Sequence, residues 1–320
     1  MSAQLLKSPL APRPDALDLV RGIDLTGRCA IVTGASSGLG IETARALALA
    51  GADTVLAVRD LRAGQAVAGA INQEAGAARA RVEALELGSL ASVRQFAARW
   101  GDRPLNLLIN NAGIMACPKG TTEDGFETQF GVNHLGHFLL SVLLAPALVK
   151  GARTSGVSSR VVSVSSGGHM ICGVDFDDPH FRRRDYGEWQ AYGQSKSANV
   201  LFAVGFDQRF KDRGVRALAI APGAIKTNLS RHLTPATWKQ IGFDPPADYY
   251  KTPAQGASTT IWAAVGQELE GAGGLYLDDC QQLPVCATER GQGCVAPHAV
   301  DPAAADRLWE LSVRETGAPA

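Results

Sequence analysis

Among its six cysteines the chain has no Cys-x-x-Cys pair; it also has no excess of either charge and few aromatic residues. Each shortage removes a class of function. Zinc sites are commonly built on closely spaced cysteine pairs, so Cys280, Cys286 and Cys294, with His298 beyond them, do not read as a metal site. Cys29, Cys117 and Cys172 are scattered and read as small apolar residues. Lys plus Arg and Asp plus Glu are 31 each, a net charge of zero that argues against nucleic acid or an anionic membrane as partner. Residues 1–26 carry Lys7, Pro9, Pro12, Pro14 and Asp15 and lack the apolar core of a signal peptide. The most apolar stretch, residues 135–149, is interrupted by His137, Ser141 and Pro146. It also falls short of the roughly 20 residues of a membrane span. A cytoplasmic protein without a membrane span is expected.

What is present is an alternation. The 320 residues are 46% hydrophobic and include 35 glycines, enough for a large core joined by many tight turns. Short β-branched apolar runs at 29–33, 53–58, 81–87, 105–109, 160–164, 215–220 and 274–277 read as strands. Between them, 39–50, 61–75, 89–100, 123–149, 189–211 and 252–265 have helical character, with Ser89 as an N-cap and a bend expected near Pro146. Strands alternating with helices predict an α/β fold, a doubly wound parallel sheet of about seven strands with helices on both faces. No repeat or composition break appears. Residues 1–26 read as an N-terminal extension and 27–320 as one domain, with loops at 167–188 and 228–250 that suit substrate binding.

The turn after the first strand reads Gly34-Ala35-Ser36-Ser37-Gly38-Leu39-Gly40. Such glycines permit a tight turn, close approach of a pyrophosphate, and close helix packing, with helix N-terminal amides facing the phosphates. After the second strand, where a dinucleotide's ribose hydroxyls would lie, comes Arg59-Asp60, with Arg62 beyond. A guanidinium there suits a 2′-phosphate, so NADP(H) is expected over NAD(H). In the other reading Arg59 is solvated and Asp60 turns in.

Further along stand Asn110-Asn111-Ala112-Gly113, then Asn133, Ser165-Ser166, Tyr192-Gly193-Gln194-Ser195-Lys196, and Pro222-Gly223-Ala224-Ile225-Lys226-Thr227. In this order the motifs closely resemble those of the short-chain dehydrogenase/reductase superfamily over roughly residues 27–280. Ala57-Val58-Arg59-Asp60 and Ser195-Lys196-Ser197-Ala198-Asn199 resemble its retinol-dehydrogenase-like branch. The resemblance implies a Rossmann-like sheet, a nicotinamide cofactor and hydride transfer to or from an alcohol or carbonyl substrate.

The residues support that chemistry independently. Tyr192 and Lys196 are four apart and share a helix face. A tyrosine's pKa of ~10 is too high for a base at neutral pH, and a neighbouring cation is expected to lower it. Tyr192 could then exchange a proton with a carbinol or ketone oxygen. By resemblance, Lys196 also bonds the nicotinamide ribose and Ser166 bonds the substrate oxygen, with Ser165 the alternative. Asn133 organises a water relay to Lys196. Gly34, Ser36, Ser37, Gly38, Leu39 and Gly40 line the pyrophosphate turn. Asn111, Ala112 and Gly113 carry the adenosine ribose, and Pro222, Gly223, Ile225 and Thr227 lie along the nicotinamide half. The family's adenine-contacting Asp is Glu86 here, followed by Leu87. His134 and His137 read as packed residues, and Arg182-Arg183-Arg184 as a solvated run.

Two other functions fit parts of the pattern: a protochlorophyllide-reductase-like enzyme and a non-catalytic nucleotide-sensing protein. The complete Asn133, Ser166, Tyr192 and Lys196 set speaks against the second. A small-molecule substrate, probed with ketones and aldehydes, and a homodimer or homotetramer complete the expectation.

Overall fold

Five-residue β1 (Cys29–Thr33) is apolar and β-branched, and the sheet grows on both sides of it. The others are β2 (Asp53–Val58), β3 (Ala80–Ala84), β4 (Leu107–Asn110), β5 (Ser159–Val164), β6 (Val215–Ala221), β7 (Leu275–Asp278) and β8 (Gln281–Gln282). The computed structural model describes residues 5–227, 229, 249–288 and 291–319. Most of the loop expected at 228–250 thus lies outside the described residues. The strand order is β3-β2-β1-β4-β5-β6-β7-β8, parallel except for β8. The order reverses beside β1, and this switch point, at the carboxyl ends of β1 and β4, is where an open α/β sheet forms its ligand crevice.

Alternation along the strands feeds two cores. Ala30, Val32, Leu56 and Val58 pack with α1 (Leu39–Leu49), α2 (Leu61–Ala75) and α6 (Pro253–Val265) on one face. Ile31, Val55 and Ala57 pack on the other with α3 (Leu90–Trp100), α4 (Thr128–Ser155) and α5 (Glu188–Phe210). Strands buried on both faces are largely apolar, as the central residues of β1 and β2 are. Two helix starts follow local chemistry: Asp60 accepts from the Ala63 amide, and Ser89 accepts from the Ser92 amide.

Several boundaries depart from expectation. β3 ends at Ala84, which leaves Glu86 and Leu87 in the following turn. In α4 the irregularity is not at Pro146, which sits within the helix on its exposed side, where water can satisfy the freed carbonyl. It is a π-helical turn at Gly131–Leu135, around Asn133. By length and composition α4 could cross a membrane, but its apolar window is 83% buried within the fold. A C-terminal helix, α7 (Pro302–Thr316), packs Leu308 and Leu311 beside Leu201 of α5.

β8 was also unforeseen. It follows a two-residue turn, Asp279-Cys280, with both residues at positive φ, in place of the Asn-Gly that usually signals such a hairpin. Its outer side is paired in turn: Lys7 bridges to Gln281, the Gln282 amide donates to the Leu6 carbonyl, and the Ser8 amide donates to the Cys280 carbonyl. Ala16, Val20 and Leu25 enter the core, where the Ala16 amide donates to the Ala254 carbonyl of α6 and the Leu25 amide to the Ala50 carbonyl at the end of α1. Cys286 and Cys294 form a disulfide. The loop at 167–188 is ordered by its own polar groups. Asp178 accepts from the amides of Arg182, Arg183 and Arg184. Arg184 is not solvated as expected: its guanidinium lies 3.8 Å from the Phe181 ring centroid and donates to Gln194 Oε1 at 2.7 Å. Arg182 and Arg183 are exposed.

Candidate active site

Thr33, the last residue of β1, organises the crevice. Its Oγ1 accepts from the amides of Asn111 (2.9 Å) and Ala112 (3.0 Å) and contacts His137 Nε2 at 2.9 Å. The opposite ring nitrogen, Nδ1, lies 3.0 Å from the Asn133 carbonyl, which can only accept. Burial pushes His137 down to about 4, so the ring is neutral, Nδ1 carries the proton, and Thr33 must donate to Nε2. His137 thereby ties the end of β1 to Asn133. His134 is buried as well, pushed down to about 3, and bonds Ser312 of α7. Both histidines are packed residues, as expected.

The glycine turn has the shape of a phosphate cradle. Gly34 and Gly38 have φ of +68° and +58°. A Cβ on Gly34 would come within 2.9 Å of Ala112, so the turn and the Asn111–Gly113 segment touch. One on Gly40 would meet Asn111 Nδ2 at 2.7 Å, which makes Gly40 a packing glycine. No side chain caps the N-terminus of α1, and its amides remain for an anion. Ser36 is half-buried and Ser37 exposed on the turn. Leu39 and Ile225 meet over Gly256, and Gly38 lies against Thr227, which brings the 222–227 segment to the same turn. These residues fit a dinucleotide.

The adenosine end is arranged differently from the expectation. Arg59 Nη1 lies 3.5 Å from Glu86 Oε2, and Glu86 Oε1 accepts from the Gly88 amide. Glu86 therefore already holds both a turn and a guanidinium. Asp60 does not turn in, because it caps α2. The Leu87 side chain is buried in the core, which leaves its backbone for any contact with a nucleotide.

At the opposite end of the crevice, the Tyr192 ring is buried on α5, one turn before Lys196. Lys196 Nζ lies 5.6 Å from the centre of that ring and donates to the Val164 carbonyl at 3.0 Å. Burial pushes the Tyr192 phenol up to about 12, and a hydrogen bond with Ser166 pulls it partly back. Burial also pushes Lys196 down to about 8. Lys196 was expected to lower the phenol; in the fold, desolvation raises the phenol and lowers the ammonium. The two serines are sorted by their bonds. Ser165 is buried and donates to the Lys196 carbonyl, whereas Ser166 caps the turn at Gly167–Met170 and lies with Tyr192 against Gly168. Asn133 is fully engaged: Oδ1 accepts from the Ile114 amide, and Nδ2 donates to the Ile114 carbonyl and Ser195 Oγ.

Lys251 was not singled out by sequence reasoning. Its buried ammonium donates to the Pro222 carbonyl at 2.9 Å and pairs with Asp279, bracing the turn whose Gly223 has φ +87°. A lone lysine ahead of a Thr-Pro helix start carries no pattern that would have marked it. Thr33 and His137 were equally silent, since their partners are distant in sequence.

The short chain dehydrogenase family model matches residues 28–177. A short-chain dehydrogenase/reductase prx1 of Penicillium rubens is 44% identical over 312 residues, covering 94% of this chain and 90% of the relative. Mouse retinol dehydrogenase 12 is 37% identical over 299 residues, covering 92% and 88%. A crystal structure of an uncharacterized protein from Mycobacterium Paratuberculosis superposes with a TM-score of 0.72 at 36% identity, over 96% of this chain and all of that one. With the crevice, the glycine turn and the Tyr192–Lys196 helix, these matches place the chain in the short-chain dehydrogenase/reductase superfamily, in its retinol-dehydrogenase-like branch, as an NAD(P)-dependent oxidoreductase.

Proposed function

We propose that the protein interconverts an alcohol and a carbonyl on an apolar small molecule with NADP(H), using Tyr192, Ser166, Lys196 and Asn133. One observation carries the reading: the Tyr192 ring and the Ser166 hydroxyl both lie against Gly168 in a buried site, with the Lys196 ammonium 5.6 Å from the tyrosine ring. The cofactor, when bound, supplies or takes the hydride. In reduction Tyr192, protonated at neutral pH, gives its proton to the carbonyl oxygen. Ser166 donates a hydrogen bond to the same oxygen, and the Lys196 ammonium stabilises the phenolate left behind. Asn133 holds Ile114 and Ser195, and through them the floor beneath Lys196. The glycine turn, Asn111–Gly113 and the 222–227 segment hold the dinucleotide, with Arg59 toward the 2′-phosphate.

The support for NADP(H) is the exposed Arg59, whose side chain is 80% accessible, and the engagement of Asp60 in capping α2. The support for an apolar substrate is the wall formed by the turn at Gly167–Met170 and Ile171, which packs against Gly193 beside Tyr192. The test is NADPH oxidation, followed by absorbance, over ketones and aldehydes of increasing chain length. Turnover that rises with apolar size supports the reading. Failure of every carbonyl, and of every alcohol with NADP+, refutes it.

A further inference from the structure

Ser166 owes its place to more than the end of β5. Its carbonyl accepts twice from one residue: from the backbone amide of His169 at 3.1 Å, and from His169 Nδ1 at 2.7 Å. A carbonyl can only accept, so Nδ1 carries a proton. The other ring nitrogen, Nε2, lies 3.2 Å from the Ala296 amide, which can only donate. Both contacts thus require one tautomer, the neutral Nδ1–H form. Burial favours it, holding the imidazole down at about 4. The ring lies against Tyr276, with centroids 4.7 Å apart, and the residue is 1% exposed. The His169 carbonyl lies 3.0 Å from His298 Nε2 and 3.0 Å from Ser197 Oγ, whose single proton has a nearer acceptor in the Cys172 carbonyl at 2.7 Å.

We infer that His169 is a positioning residue for the proposed reaction, a strut that sets the Ser166 hydroxyl by tying its backbone to the C-terminal segment at Ala296. The inference rests on the role proposed for Ser166. A neutral imidazole suits a strut better than a charged side chain, because it can accept on one side and donate on the other without a buried charge. By this strut Ala296, remote from the crevice, is linked to Ser166.

The test uses the full-length chain with four variants: His169→Phe, His169→Asn, Ser166→Ala, and His169→Phe combined with Ser166→Ala. Phe keeps the ring but loses both bonds, and Asn restores a donor near Nδ1. Misplacement of a reacting group by about 1 Å costs up to ~10²-fold. His169→Phe is expected to lower kcat about ten- to a hundredfold, with the Kd for NADPH within twofold of wild type. His169→Asn should recover most of that loss. In the Ser166→Ala background His169→Phe should add less than threefold, because it acts through the serine. An unchanged kcat in His169→Phe, or the same loss in both backgrounds, overturns the inference. Nitrogen-15 spectra of the wild-type imidazole give a readout independent of turnover and of variant folding. A proton on Nδ1 with no titration between pH 5 and 8 is expected; an Nε2–H tautomer, or a ring titrating near 6.5, overturns it. A wild type inactive on every substrate but showing the Nδ1–H form would sink the proposed reaction and leave the strut standing.

Discussion

Replacing Arg59 with alanine should shrink a preference for NADPH over NADH. The wild-type guanidinium is 3.5 Å from Glu86 and 80% exposed. Such an exposed pair is worth about 0.2–1 kcal/mol, so turning Arg59 toward a phosphate gives up little. A charge-assisted hydrogen bond contributes about 1.5–3 kcal/mol, and exposure points to the lower end. About 1.4 kcal/mol is tenfold in affinity, so Arg59→Ala should weaken NADPH by about tenfold and leave NADH nearly unchanged. Arg62, exposed near the start of α2, can recover part of the loss. The structure adds a change of opposite sign. Glu86→Gln keeps an oxygen for the Gly88 amide but removes the carboxylate that competes for Arg59. It should tighten NADPH by up to about fivefold, the factor that ~1 kcal/mol of released pairing allows. The assay is the Kd of each cofactor for the three proteins, by quenching of intrinsic fluorescence at low and physiological salt. Added salt should narrow the differences. A wild type that binds NADH more tightly, or an Arg59→Ala variant with an unchanged ratio, would refute the reasoning.

Three further outcomes are expected. Tyr192→Phe keeps the packed ring but loses the proton, so turnover should fall by ~10²–10⁴-fold with NADPH affinity intact; comparable turnover in the variant would remove Tyr192 from the chemistry. Gly168→Ala would set a methyl 2.7 Å from Tyr192 Cε1. It should push the ring out of line and cost roughly tenfold in kcat, and a crystal structure with Tyr192 unmoved would contradict this. Acid should unfold the protein steeply. His134, His137 and His169 are held neutral, at about 3, 4 and 4. Protons therefore bind the unfolded chain in preference as pH falls from 6.5 toward 4. The stability these rings contribute is present above 6.5 and lost below it, at up to ~1.4 kcal/mol per pH unit for each ring. Denaturant midpoints that stay flat from pH 7 to 4.5 would show that these rings take up protons without unfolding.

The central strands of the sheet were legible because each holds a short run of apolar residues bounded by turns, and the helix at 61–75 was read to the residue. The order of Tyr192, Lys196 and the glycine turn was legible because those residues act through local spacing. What escaped depends on distant partners. β8 gains its identity from pairing with β7 and residues 6–8, not from its two glutamines. The disulfide between Cys286 and Cys294 has no spacing signature to set it apart from scattered thiols. The balance at Tyr192 was misjudged because spacing reports which charge is near but not how much water is excluded. His169 and Lys251 escaped for the reason that Thr33 did: each is a single polar residue whose meaning lies in a carbonyl or amide far along the chain.

The seating of residues 6–8 against β8 has a consequence for the order in which the chain matures. Residues 6–8 leave the ribosome some 270 residues ahead of their partners at Gln281 and Gln282. This segment must wait until those residues are made, and its closure belongs to the slow, long-range events of folding. Until then β8 presents an open edge of the kind that recruits foreign strands. A bulky fusion at the amino terminus would prolong that interval, and the same fusion at the carboxyl terminus would not. Yield of soluble protein should therefore depend on which end carries the tag, even where the purified enzymes turn over alike.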